Sequence, residues 1–120
     1  MLALTGDLGS GKTTFVQGFA QGLGIKTRII SPTFIIVRKY ELRFTNYDLR
    51  IRNFYHIDLY RLEENVEREI INLGVDEIWN TSGNIVAIEW AEKIKNVIPK
   101  NATWIKFESL GENERRVIIK

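Results

Sequence analysis

Cysteine is absent from the 120-residue chain, and histidine occurs once, at position 56. The first absence excludes a disulfide scaffold and thiolate chemistry. The second argues against a structural zinc site, which takes about four nitrogen, sulfur or carboxylate ligands. No apolar run approaches the roughly 20 residues of a membrane-spanning helix, and no charged-then-apolar leader precedes the first motif. A cytoplasmic protein without membrane association is therefore expected. Internal repeats, low-complexity tracts and linkers are also missing. What remains, 44% hydrophobic residues against 27% charged, suits one globular domain spanning residues 1–120.

The formal net charge of +2 conceals a segregation along the chain. Residues 26–52 carry seven Lys or Arg against Glu41 and Asp48, residues 58–92 carry nine acids against Arg61 and Arg68, and residues 93–120 carry seven bases against three acids. Solvated helix and loop faces would produce this pattern, and so would a surface that docks a partner of complementary charge. Both readings stay open, and basic residues alone do not make an RNA-binding face.

Strand and helix signals alternate, which indicates an α/β fold of three layers around a mostly parallel central sheet, with an antiparallel hairpin. Met1 to Thr5 reads as a short apolar strand. Residues 13–23 place Phe15, Val16, Phe19, Ala20 and Leu23 at helical spacing, and Gly24 follows where a helix C-terminus favours a left-handed residue. Ser31-Pro32-Thr33 leads into FIIVRKYEL, and beyond a polar turn around residues 46–50 comes IRNFYHIDLY, its expected hairpin partner. Strand alternation puts Phe54, His56 and Asp58 on one face and Tyr55, Ile57 and Leu59 on the other. Residues 63–73 read as a helix ending at Gly74, NIVAIEW as a central strand delivering Glu89 to the sheet edge, and residues 91–97 as a helix stopped by Pro99. TWIKFESL and RRVIIK close the chain as strands.

Gly6, Gly11, Lys12 and Thr13 satisfy G-x-x-x-x-G-K-[ST] between an expected strand and an expected helix. The glycines let the backbone turn inward, so that successive N–H groups from about Gly9 to Thr14 point into one anion-sized hollow at a helix N-terminus. Asp7, Leu8, Gly9, Ser10, Gly11, Lys12, Thr13 and Thr14 are thus the candidate nucleotide-binding residues. Lys12 supplies a point charge for the β- and γ-phosphates, and the Thr13 hydroxyl can ligate Mg2+. The plain alternative is a glycine-rich turn that caps a helix.

Chemistry on a bound nucleotide needs an acid on a neighbouring strand, to hold the metal shell or orient water. Glu89, ending the apolar run Ile85–Ile88, is the first candidate, and Asp58, in HIDLYR, the second. An exposed charge at a strand end and a salt bridge to Arg61 are their respective alternatives. Thr33 could sense a γ-phosphate as a switch residue, although Ser-Pro also simply initiates turns. His56 reads as a core or hydrogen-bonded histidine, and Trp90 as a packing residue.

Taken in order and at these spacings, GDLGSGKTTF, SPTF, HIDLYRL and IEWAE resemble the TsaE family, formerly YjeE. These are bacterial P-loop ATPases of tRNA threonylcarbamoyladenosine biosynthesis. The resemblance covers nearly the whole chain. It implies an ATP-binding and hydrolysing subunit that joins TsaB and TsaD, with TsaD transferring threonylcarbamoyl to adenosine 37 of tRNA and ATP hydrolysis servicing the multi-turnover cycle. On this pattern Gly9 to Thr14 form the phosphate cradle, Thr13 and Glu89 the magnesium shell, and Asp58 a further active-site acid. The tRNA is reached through the complex.

Relatives usually carry a few tens of residues before the phosphate loop, including part of the adenine-side pocket, whereas this chain opens at Met1 on the first strand. Either the sequence is a shortened version of the family's chain or adenine is bound with fewer contacts; nucleotide affinity and base selectivity are what this bears on, and the phosphate and metal chemistry stays in place. Two other classes share the loop. A small-molecule kinase is disfavoured because no long insertion is left for an acceptor-binding lid. A nucleotide-dependent interaction module without productive turnover fits the segregated charge as well as an ATPase does.

Overall fold

The structure, a computed structural model, describes residues 1–29, 37–42 and 51–120. Six strands make one sheet: β1 (Leu2–Gly6), β2 (Val37–Glu41), β3 (Asn53–Asp58), β4 (Asn84–Glu89), β5 (Thr103–Ser109) and β6 (Arg115–Ile119), in the spatial order β2-β3-β4-β1-β5-β6. The four central strands run parallel, as the alternating sequence pattern requires, and β2 pairs antiparallel with β3 at one edge. A second antiparallel pair, β5 with β6, closes the other edge, where a single hairpin was expected. The link between them is tight, with the Leu110 N–H bonded to the Glu114 carbonyl at 3.0 Å. A return this short can only be antiparallel, because a parallel neighbour needs a crossover of a dozen or more residues.

Side-chain alternation along the strands divides the core into two halves. Leu4, Phe54, Ala87, Ile105 and Phe107 face helix α1 (Lys12–Gly22), meeting its Val16 and Ala20. Ala3, Ile57, Val86 and Ile88 face α2 (Val66–Asn72) and the 3₁₀ turn Ala91–Ile94, meeting Val66, Ile70 and Ile94. Helix α2 has only seven residues, too few to persist alone. Burial of Val66 and Ile70 one turn apart, at about 1.5–3 kcal/mol each, holds it on the sheet.

Two expected helices differ from the sequence reading. The helix expected over residues 63–73 begins at Val66, because Asn65 takes a left-handed backbone (φ 50°, ψ 39°) that no α-helix continues through. Its end before Gly74, at φ 74°, is the one the sequence indicates. The helix expected over residues 91–97 is a 3₁₀ turn over Ala91–Ile94 with its Lys93 N–H bonded to the Trp90 carbonyl at 3.1 Å. Trp90 itself is left-handed at φ 62°, so the chain leaves β4 through a sharp bend. A short helix α3 (Asp76–Trp79) was not expected. Thr33 and the turn around residues 46–50 lie outside the described residues. No helix among the described residues is long and apolar enough to cross a membrane.

The topology brings the carboxyl ends of β1, β3 and β4 side by side, with Leu4 opposite Glu89 and Asp58 opposite Glu89 in register. The chain leaves β1 toward the β3 side and reaches β5, on the other side of β1, only after β4. Such a reversal point, at the carboxyl ends of parallel strands, is where α/β sheets open a crevice.

Candidate functional site

Between β1 and α1 the chain turns through Gly6 (φ 138°), Gly9 (φ 78°) and Gly11 (φ 110°), a backbone that side-chain-bearing residues rarely adopt. Gly6 is constrained twice: a Cβ there would stand 2.4 Å from the Phe107 carbonyl oxygen and 2.8 Å from Ser10 Oγ. The turn is tied by the Ser10 N–H to the Asp7 carbonyl, and the first bond of α1 runs from the Phe15 N–H to the Gly11 carbonyl at 2.9 Å. The amides ahead of Phe15 in the first turn have no intrahelical acceptor. No acidic residue occupies that turn, so the positive end of the helix is left for an external anion.

Lys12 is 4% exposed. Its Nζ donates to the Gly6 carbonyl and, at 2.9 Å, to the Asp7 carbonyl. An ammonium has three N–H groups, so one is left beyond these two loop carbonyls. The same nitrogen lies 4.2 Å from the centre of the Trp90 ring. Burial pulls the Lys12 pKa below the usual lysine value of 10.5, and the nearby Glu89 carboxylate acts in the opposite sense.

Thr13 and Glu89, 76 residues apart in the chain, meet directly: Thr13 Oγ1 is 2.9 Å from Glu89 Oε1 and 3.0 Å from Oε2. With its proton directed to the carboxylate, the Thr13 hydroxyl has lone pairs left for a cation. A third group joins them, as His56 Nε2 lies 2.5 Å from Glu89 Oε2 with both side chains buried. Asp58 is 8% exposed and accepts the Tyr60 N–H on Oδ1 at 3.0 Å. Among the described residues no cluster of three or more His, Cys, Asp or Glu could hold a metal. A hydroxyl with one or two carboxylates is instead the sparse, hard-oxygen set that Mg2+ accepts when phosphates and water complete its octahedron. Thr13 and Glu89 therefore fit that ion.

These groups border one cleft of about 660 Å³, lined by residues 8–15, Asp58, Tyr60, Glu89, Trp90, Phe107 and, from the β5–β6 turn and β6, Glu112, Asn113, Arg115 and Val117. Its size is that of a small-molecule site. Lys93 braces one wall, donating to the carbonyls of Leu59 (3.2 Å), Tyr60 (2.9 Å) and Leu62 (2.7 Å), and Tyr60 packs on Trp90 with ring centres 5.3 Å apart.

Of the residues singled out in the sequence, 8–14, Asp58 and Glu89 border this cleft, while Asp7 contributes its carbonyl to Lys12 and to Ser10. Thr33 lies outside the described residues. Sequence reasoning missed the β5–β6 turn and Tyr60, which reach the cleft through the topology of the sheet. It placed Trp90 as packing without its contact to Lys12. The direct bond from His56 to Glu89 was also missed, because it follows from the parallel register of β3 on β4, which the sequence does not show.

A mostly parallel, three-layered α/β sheet with a glycine loop opening onto a helix at the switch point defines a fold of the P-loop NTPase type. The family described as Threonylcarbamoyl adenosine biosynthesis protein TsaE matches residues 1–117, and the chain belongs to that family. It is 38% identical over 117 residues to the tRNA threonylcarbamoyladenosine biosynthesis protein TsaE of Bacillus subtilis, covering 98% of this chain and 66% of that protein. The protein of the same name from Borreliella burgdorferi is 42% identical over 112 residues, at 92% and 74% coverage. The crystal structure of Bacillus subtilis YdiB superimposes with a TM-score of 0.68 at 37% identity, over 97% of this chain and 64% of that one. The chain thus spans just under two thirds of the Bacillus relative, and 54% of the Nostoc one.

Proposed function

We propose that this chain is a cytoplasmic, Mg2+-dependent ATPase serving tRNA threonylcarbamoyladenosine modification together with TsaB and TsaD. The observation that carries the reading is the convergence of Lys12, Thr13 and Glu89 on one cleft at the N-terminus of α1. On this reading the loop amides and the remaining Lys12 N–H bind the phosphates. The Thr13 hydroxyl and Glu89 hold Mg2+, which when bound neutralises charge on the phosphate oxygens. Glu89 or Asp58 orients the attacking water. Positioning and charge stabilisation are all that phosphoryl transfer asks of a protein, and no covalent intermediate on the chain is involved. The names of the relatives, all biosynthesis proteins for the same tRNA modification, support the biological assignment.

The test is ATP hydrolysis by the purified chain with and without TsaB and TsaD. Lys12→Ala removes a charge-assisted hydrogen bond worth about 1.5–3 kcal/mol and is expected to weaken ATP binding about tenfold to over a hundredfold. Glu89→Ala is expected to spare much of the binding and lower turnover. Partner-stimulated hydrolysis that disappears in the Lys12 variant supports the reading. No turnover in either setting, with ATP binding retained, would leave a nucleotide-dependent interaction module, and unchanged ATP binding by Lys12→Ala would remove the phosphate assignment.

A further inference from the structure

Five polar or charged residues are buried among the described residues: Ser10, Lys12, His56, Asp58 and Glu89. Four of them line the cleft, and His56 does not. Its imidazole is fully buried (0% exposed), so it touches neither solvent nor a molecule in the cleft. Its one hydrogen bond goes to Glu89 Oε2, and its other ring nitrogen, Nδ1, is buried without a partner among the described residues. An apolar side chain would fill this place, between Phe54 and Asp58 on the face toward α1, without stranding a nitrogen.

We propose that His56 is a positioning residue for Glu89, fixing the plane of its carboxylate so that the Thr13 hydroxyl directs its proton to Oε1 and its lone pairs to the cleft. The inference rests on the reading of Thr13 and Glu89 given above. Thr13 alone does not fix that plane: its single hydroxyl stands 2.9 and 3.0 Å from the two oxygens, a bridging geometry that one proton satisfies equally on either. The terminal torsion of a glutamate is broad and roughly two-fold. A second donor on Oε2 removes the degeneracy. The donor must be Nε2–H, since a carboxylate only accepts, and the tautomer with an unprotonated Nδ1 leaves no buried N–H unsatisfied on the other side of the ring. The placement is rigid because β3 and β4 are paired in parallel register, His56 opposite Ala87 and Asp58 opposite Glu89, so the imidazole reaches diagonally along the sheet to the strand end.

Because His56 is the only histidine in the chain, its imidazole gives a single pair of ¹⁵N resonances and can be read without nucleotide. The nucleotide-free protein is expected to show the Nε2-protonated tautomer, and Glu89→Gln is expected to shift the Nε2 signal. An Nδ1-protonated ring, or a signal unmoved by Glu89→Gln, overturns the pairing. In turnover, His56→Phe is expected to lose about 10–100-fold in kcat, with KM for ATP within about threefold. His56→Gln, which restores an N–H donor, is expected to recover most of the loss. If His56→Phe misfolds, as circular dichroism would show, the Gln variant and the ¹⁵N spectra decide. A folded His56→Phe with wild-type kcat overturns the proposal. A wild-type chain that neither binds nor hydrolyses ATP defeats the functional reading instead, and leaves the imidazole measurement to judge the pairing on its own.

Discussion

On the side of the sheet that carries α2, the buried cluster is apolar and includes Ala3, Ile57, Leu59, Val66, Ile70, Val86, Ile88 and Ile94. The side that carries α1 buries Leu4, Val16, Ala20 and Phe54, but its strands also bury His56, Asp58 and Glu89 toward the carboxyl end. The two halves obey different rules. Apolar burial is non-directional and scales with area, so damage on the α2 side costs stability in proportion to what is removed. Buried polar groups are stable only while each keeps its partner, so the α1 side concentrates consequence in a few atoms. A buried Glu89 is tolerable because Thr13 and His56 both serve it. The end of the molecule that carries the candidate site is thus the end where the core is least apolar.

Gly6→Ala breaks the α1 side hardest. The new methyl collides with the Phe107 backbone carbonyl at 2.4 Å, a group fixed by strand pairing, in a φ region costly for alanine. Strain and overpacking together give a loss of roughly 2–5 kcal/mol, with ATP binding lost as well because the loop cannot close. Urea denaturation and nucleotide titration of the same sample check both. A variant with wild-type stability would show that the turn relaxes and that the loop is not held by this contact.

Ile57→Ala sharpens the contrast from the other side. Truncating a fully buried isoleucine is expected to cost about 2–5 kcal/mol, yet ATP affinity of the protein that remains folded is expected to stay within about twofold, since the site draws on the opposite face. A drop in affinity as large as that of Lys12→Ala would mean that the two halves are coupled and the division fails.

How much of this was legible in the sequence depended on range. The loop from Gly6 to Thr13 is written in consecutive residues, because a strand-turn-helix cradle is a local object. Glu89 and Asp58 were recognisable as acids at strand ends, since strand direction and length are also local. The bond from His56 to Glu89 was not, because it spans 33 residues and depends on which strands are neighbours and in what register. The cleft wall from Glu112 to Val117 was hidden for the same reason, being delivered by an edge strand three places from β4. The errors at Asn65 and Trp90 have another origin. Both residues take left-handed backbones; an asparagine favours that region more than most residues but also sits in helices, while nothing in the Trp90 side chain advertises it, and tertiary packing overrides local preference there.

The smallest expected effect is a pH dependence that distinguishes the two sides at a single position. Burial depresses the Lys12 pKa below 10.5, so between the folded value and 10.5 the unfolded chain binds a proton that the folded chain does not. Stability then rises with pH across that window. Below it both states are protonated and the full penalty of the buried charge is present; above it both are neutral and the penalty is gone. Relative to Lys12→Met, the wild-type chain without nucleotide is expected to gain stability as pH rises toward 10.5, as read from urea midpoints. Bound phosphate supplies the opposite charge and should flatten this slope, whereas the deficit of Ile57→Ala, which involves no titrating group, should be the same throughout. A wild-type advantage over Lys12→Met that shrinks with rising pH would reverse the sign of the argument, and would mean that the loop carbonyls and Glu89 stabilise the ammonium by more than its burial costs.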